Sequence, residues 1–196
     1  MSSRGAKRGT GAPPVHQKIA WARRSCPVEL CPHKVIDVSI TIRPATPSDV
    51  PLLMEFIREL AGYEKLSQMV VATEPLLDEH LFGPDPVAES LIAFLDNKPA
   101  GFALFFRSFS TFVGRPGIYL EDLFVRPHAR RLGVGKALLR EVARIAVDRH
   151  CGRVEWSVLD WNTPAIGFYQ RLGAIPLNDW TVFRVTGSAL DDLASQ

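Results

Sequence analysis

The segment Arg130-Arg131-Leu132-Gly133-Val134-Gly135-Lys136 limits what this chain can fold into more than any other. It follows an apolar run, Ile118–Val125, that reads as a buried strand. It opens Val134–Val147, where apolar residues recur at helical spacing. A glycine-rich turn at a helix start leaves backbone N–H groups unpaired and aims them, with the helix dipole, at whatever sits there. Small residues let a large anion approach that backbone, and Arg130, Arg131 and Lys136 add positive charge. The expected occupant is a phosphate or pyrophosphate. The competing reading is a tight solvated loop beside arginines; the place between strand and helix favours the ligand.

Two familiar phosphate motifs are excluded. A P-loop sets Ser or Thr after its lysine, whereas Ala137 follows Lys136. The dinucleotide fingerprint needs a glycine three residues after Gly135, and Leu138 stands there.

Around this turn the pattern predicts a layered domain. Ser39–Pro44 reads as a strand, and Thr46-Pro47-Ser48-Asp49 starts a helix whose face is Val50, Leu53, Met54, Ile57, Leu60 and Ala61. Thr73–Leu81 is a second helix. Strands follow at Ser90–Leu95, Ala100–Phe109 and Ile118–Val125, the first two joined by the turn sequence Asp96-Asn97-Lys98-Pro99. After the long helix come a strand at Arg153–Leu159, a helix from Thr163-Pro164 to Leu172 capped by Gly173, a last strand at Val182–Thr186 and a small helix at Leu190–Leu193. That order gives an α/β fold: a mixed central sheet with helices on both faces.

Composition supports one globular domain over residues 39–196, since 196 residues at 46% hydrophobic can bury one ordinary core. Residues 1–38 hold seven Lys/Arg against two acids and read as a disordered basic tail; a start of the natural chain near Val35 is the plainer alternative. The remainder holds sixteen against nineteen, a mildly acidic balance that suits a cationic substrate better than nucleic acid. No apolar run nears the ~20 residues that span a bilayer, and no signal-peptide core follows the basic residues. Three cysteines do not make a disulfide framework, which fits a reducing cytoplasm, and Cys26, Cys31 and His33 lack zinc spacing and a fourth ligand. No metal is expected. His150-Cys151 looks like a helix end rather than a nucleophile pair, since no orienting carboxylate is apparent.

What remains of the turn is Arg-x-x-Gly-x-Gly, and here the sequence resembles the GNAT N-acetyltransferases, in which this motif cradles the pyrophosphate of acetyl-CoA. Three further stretches resemble the spermidine/spermine acetyltransferase branch: Glu59-Leu60-Ala61-Gly62-Tyr63-Glu64, Tyr119-Leu120-Glu121-Asp122-Leu123-Phe124-Val125, and Asp160-Trp161-Asn162-Thr163-Pro164-Ala165-Ile166-Gly167-Phe168-Tyr169. The resemblance runs from about Ile40 to Leu193. It implies the GNAT acyl-CoA N-acyltransferase fold, and acetyl-CoA as co-substrate held by Leu123, Phe124, Val125, Arg130, Arg131, Leu132, Gly133, Val134, Gly135, Lys136, Asn162, Pro164 and Ala165.

Acetyl transfer to an amine needs a proton acceptor for the ammonium, a donor for the developing oxyanion and a proton for the departing thiolate. Tyr169 suits the last task, because a phenol is a weak acid; the resemblance sets it beside the CoA sulfur, while the plain alternative is a core aromatic. Glu121 and Asp122 are consecutive acids in an apolar strand, and a carboxylate buried without a partner is costly, so one or both should line a cleft. Glu121 is the candidate proton acceptor, through water, and Asp122 either binds the amine or pairs with an arginine. The resemblance adds Tyr63, Glu64, Glu155 and Trp156 as amine contacts, and backbone groups of Leu123 and Val125 as partners of the pantetheine arm. Asn162 either bonds that arm or caps a helix. His128, in the loop before the motif, falls near the phosphate position.

The expected activity is direct acetyl transfer from acetyl-CoA to a primary amine of a small cationic molecule, such as a diamine, a polyamine or a lysine-like amino acid, by a homodimer. Two rivals stay open: acetylation of a protein N-terminus or lysine, and a non-catalytic acyl-CoA sensor. Asn178-Asp179-Trp180 departs from the acid-rich loop of the polyamine enzymes, so thialysine-like amines are equally reasonable.

Overall fold

The computed structural model describes residues 38–196; the readings made for residues 1–37, including Cys26, Cys31 and His33, fall outside it. One five-stranded sheet organises these residues, in the order β1-β2-β3-β4-β5. The strands are β1 (Ile40–Pro44), β2 (Glu89–Leu95), β3 (Lys98–Ser110), β4 (Arg115–Val125) and β5 (Val154–Glu155). The first four pair antiparallel, and β5 runs parallel to β4.

The two faces of the sheet follow from strand alternation. On one face, Leu91, Ala93 and Leu95 of β2 and Ala103 and Phe105 of β3 bury against helix α3 (Val134–Asp148), which supplies Val134, Leu138, Leu139, Val142 and Ala146. On the other, Ile92, Phe102, Leu104 and Phe124 bury against helix α1 (Val50–Glu64) through Leu53 and Phe56, and against α2 (Glu74–Phe82) through Leu81. Phe56 lies flat on Phe102, with ring centroids 5.5 Å apart. The chain enters α1 through a 3-10 turn, Pro47–Asp49. There the Asp49 carboxylate accepts the Thr46 N–H and a two-pronged bond from Arg43, which holds it well below the usual carboxylate range.

Strict alternation fails once in β4. Phe105 pairs with Leu120 but Leu104 pairs with Asp122, so Glu121 is an extra residue, a β-bulge. The bulge reverses the facing: Ile118 and Leu120 belong to the α3 side, whereas Phe124 packs on the α1 side and Leu123 and Val125 return to the α3 side. A second irregularity opens the sheet. β4 and β5 pair only at Ile118–Val154 and Tyr119–Glu155, after which the two chains part. The strand expected over Arg153–Leu159 therefore contains just two laddered residues, and Trp156–Leu159 continues without strand pairing.

Helix α4 (Thr163–Arg171) follows, and Gly173 ends it in the left-handed conformation, φ 90°. The last strand does not form. Val182–Thr186 has no ladder and is exposed, because β5 ends too early to offer it an edge; a short helix α5 (Ser188–Ala194) closes the chain. Among the described residues no helix is long and apolar enough to cross a membrane.

Candidate active site

Where β4 and β5 part, the structure opens a cavity of about 780 Å³. One wall is the β4 segment Glu121–Val125. The other comes from Ser157, Val158 and the start and inner face of α4, and the far end is the glycine turn. At the root of the fork the Tyr119 hydroxyl and Ser157 Oγ lie 2.9 Å apart, closing the gap behind the point of divergence.

The turn has the geometry that the sequence implied. Gly133 is the N-cap of α3 with φ 94°, and its position carries no side-chain cap, which leaves the first-turn amides open toward the cavity. Arg131 is also left-handed, φ 65°, a conformation that costs a residue with a Cβ. A Cβ on Gly135 would stand 3.6 Å from Val125 and 3.7 Å from Phe168, within the slot itself. Arg131 and Lys136 line the cavity as exposed cations, and Arg171 at the end of α4 adds a third that the sequence analysis did not single out. These features suit a diphosphate: open amides, a positive rim and no side chain in the way.

Arg130 behaves differently. Its Nε donates to the Val125 carbonyl at 2.9 Å, and its guanidinium lies over the Tyr63 ring, 4.6 Å from the centroid. Its role here is to tie the end of β4 to α1. The Val125 carbonyl is thereby occupied, so of the two backbone positions expected to meet a pantetheine arm, Leu123 is the unencumbered one.

Glu121 and Asp122 both line the cavity, and the bulge is the reason. Glu121 is exposed. Asp122 faces the α1 side with Glu64, and burial, reinforced by the charges of Glu121 and Glu64, pushes its carboxyl up to about 7. Burial also raises Glu64. Neither Glu64, Glu121 nor Asp122 has a salt-bridge partner among the described residues. The arginine pairing expected as the alternative for Asp122 is thus not found among the described residues.

Tyr169 reaches the same cavity from α4, its ring against Trp156 (4.9 Å) and Phe168 (5.2 Å). Burial, then the Glu64 charge, pushes the phenol up to about 12, which keeps its proton in place. Asn162 takes the second of the two roles foreseen for it: its Oδ1 accepts the Ala165 N–H at 3.4 Å as the cap of α4, and the residue also lines the cavity. Pro164 and Ala165 line the cavity as well.

Several expected residues lie elsewhere. Glu155 is held by Arg153, Nε to Oε2 at 2.7 Å, and is outside the cavity lining, as is Trp156, which serves as the packing surface for Tyr169. Leu132 is exposed and Val134 is core, so neither offers its side chain. His128 lines a neighbouring cavity of about 520 Å³, with Glu59, Arg126 and Arg130. Sequence reasoning missed Ser157, Val158, Phe168 and Arg171. The Phe168 and Arg171 positions were recoverable from helical spacing relative to Pro164, whereas Ser157 and Val158 depend on where β5 stops pairing. Among the described residues no cluster of metal-ligating side chains occurs.

Known proteins resemble this chain in sequence and in fold. The model of the acetyltransferase (GNAT) family matches residues 53–174. The thialysine N-epsilon-acetyltransferase of Bos taurus is 38% identical over 168 residues, 80% of this chain and 98% of that protein. An L-ornithine N5-acetyltransferase of Arabidopsis thaliana is 34% identical over 194 residues, 76% of this chain and 85% of that protein. A solved integron cassette protein from the mobile metagenome of V. cholerae superposes with a TM-score of 0.67 at 28% identity, covering 81% of this chain and 99% of that one. The split sheet with an open helix N-terminus at its fork is accordingly that of an N-acetyltransferase, and the chain belongs to the GNAT family.

Proposed function

We propose that this enzyme transfers the acetyl group of acetyl-CoA directly to a primary amine on a small cationic molecule of the diamine or ω-amino acid type. The observation that carries the reading is the division of charge within one cavity. Cations and open amides at the α3 turn suit the diphosphate, while Glu64, Glu121 and Asp122 lie without counter-ions where an ammonium would enter. The thialysine and ornithine enzymes that resemble this chain act, by their names, on amines of that type.

The bound thioester supplies an activated acetyl group, and the chain's residues do the rest. The amides of Gly133 through Lys136 hold the diphosphate, and the Leu123 backbone aligns the arm along β4. Glu121 accepts a proton from the ammonium, through water, so that the nitrogen gains a lone pair; the N–C bond forms as the C–S bond breaks. Tyr169 gives its proton to the departing sulfur, and burial, which pushes the phenol up to about 12, keeps that proton in place until then. Asp122 and Glu64 attract and orient the cation.

The assembly we propose is a homodimer. Ile175, Leu177, Trp180, Val182 and Phe183 are exposed in a segment that finds no partner within the described residues; Phe183 is 90% and Ile175 82% exposed. A second copy of the chain is the partner that would cover them.

The test is release of CoA with acetyl-CoA and a panel of amines: L-ornithine, thialysine, putrescine, spermidine and peptides with free N-termini. Turnover confined to the peptides would overturn the substrate class, and CoA binding without turnover on any amine would favour a sensor.

A further inference from the structure

Tyr63 sits one residue from the end of α1 and holds together segments that are far apart in the chain. Its hydroxyl donates to Asn162 Oδ1 at 3.1 Å across a separation of 99 residues. That same oxygen caps α4 by accepting from Ala165 N, and α4 carries Tyr169. One side of the Tyr63 ring carries the Arg130 guanidinium at 4.6 Å, and Arg130 is in turn bonded to the carbonyl that ends β4. The Trp161 ring packs on it as well, with centroids 5.8 Å apart. Tyr63 and Arg130 line both cavities, so their stack forms a partition between the active-site cavity and its 520 Å³ neighbour.

Each contact of this ring belongs to the half of the site that would hold CoA: the start of the phosphate turn and the cap of α4. The next residue, Glu64, belongs to the half that would hold the amine. We infer that Tyr63 is a positioning residue that couples the two halves, so that filling the CoA slot fixes the end of α1 and sharpens the acidic amine site. This inference rests on the proposed acetyl transfer. Arg130 and Asn162 both line the active-site cavity, so a bound diphosphate and arm would add contacts to the bonds that already hold them. Through the stack and the hydroxyl bond they fix Tyr63, and with it the direction of the Glu64 carboxylate. By linkage the effect is reciprocal, and the amine tightens the cofactor by the same factor.

The experiment measures initial rates with acetyl-CoA and the panel amine of highest kcat/KM both varied, and takes the ratio of the dissociation constant of acetyl-CoA from free enzyme to its KM. In the wild type this ratio is expected to be about five or more, the lower end of ordinary coupling between sites. In Tyr63→Phe, which keeps the ring but loses the Asn162 bond, it falls toward one. In Tyr63→Leu, which also loses the Arg130 stack, it reaches one. A purely structural role would lower the melting temperature and kcat and leave the ratio where it was, and that result overturns the inference. A wild-type ratio of one overturns it equally. Tyr63→Phe retains nearly all the packing of the parent, so it decides the matter even if the leucine variant does not fold. If no amine in the panel turns over, the functional reading itself falls and the coupling with it, an outcome distinct from turnover with an unchanged ratio.

Discussion

Single residues carry separable tasks in this site. Tyr169→Phe removes the proton for the thiolate without altering the ring's packing on Trp156 and Phe168. A fall in kcat of about 10²–10⁴-fold is expected, with CoA affinity by calorimetry close to the parent. Asp122 makes a different prediction, in stability. Its folded carboxyl keeps a proton to about pH 7, whereas in the unfolded chain it ionises near 3.8, as a free aspartate does. A raised pKa means that the folded state binds the extra proton, so this group's contribution is fully present below about pH 4 and is lost as pH rises through 7. Asp122→Asn should therefore flatten the decline in melting temperature between pH 5 and 8; an unchanged slope would place the charge elsewhere. At Arg131 the left-handed backbone (φ 65°) costs about 1–2 kcal/mol, more than the roughly 0.4–1 kcal/mol that glycine loses through unfolded-chain freedom. Arg131→Gly is thus expected to raise urea stability slightly, and Gly133→Ala, at φ 94°, to lower it.

At the scale of elements, the quality of the fork depends on how closely β3 approaches β4. A Cβ at Gly101 would stand 2.3 Å from the Phe124 carbonyl oxygen, a backbone atom that cannot step aside alone. Gly101→Ala should cost about 1–3 kcal/mol and raise the KM for acetyl-CoA, because the displaced strand is the wall along which the arm must lie. A variant with normal KM and normal melting temperature would show that β4 tolerates the shift. Most of the elements were legible beforehand. α1, α3 and α4 announced themselves by apolar spacing and by Thr46, Gly133 and Gly173 at their ends, and β2 to β4 by apolar runs between turn sequences. Local pattern could not show where β5 stops pairing, because parting from β4 is a property of two strands and not of either sequence. The same limit misplaced Glu155 and Trp156, whose directions hang on that point, and hid the stack of Arg130 on Tyr63, which joins segments far apart in the chain. The bulge itself was not visible: two adjacent acids in an apolar strand signalled a cleft, but not an extra residue or a reversal of facing.

For the whole molecule, the C-terminal segment sets the main expectation. Val182–Thr186 has the composition of a strand, yet within the described residues it has no edge to join. Its exposed apolar side chains point to association rather than to a free arm. Light scattering is expected to give twice the chain mass, and Trp180→Glu combined with Phe183→Glu to shift the protein to monomer; a monomeric parent would refute the assembly. The extra residue in β4 also gives this enzyme a position that it can vary apart from its core. Glu121 has no partner on β3, so losing it would leave Leu120, Asp122, Leu123 and Phe124 alternating against the same partners and facing the same layers, while the cavity wall would lose its exposed carboxylate. Descendants of this chain can change the letter at that position to suit a new amine without disturbing either layer.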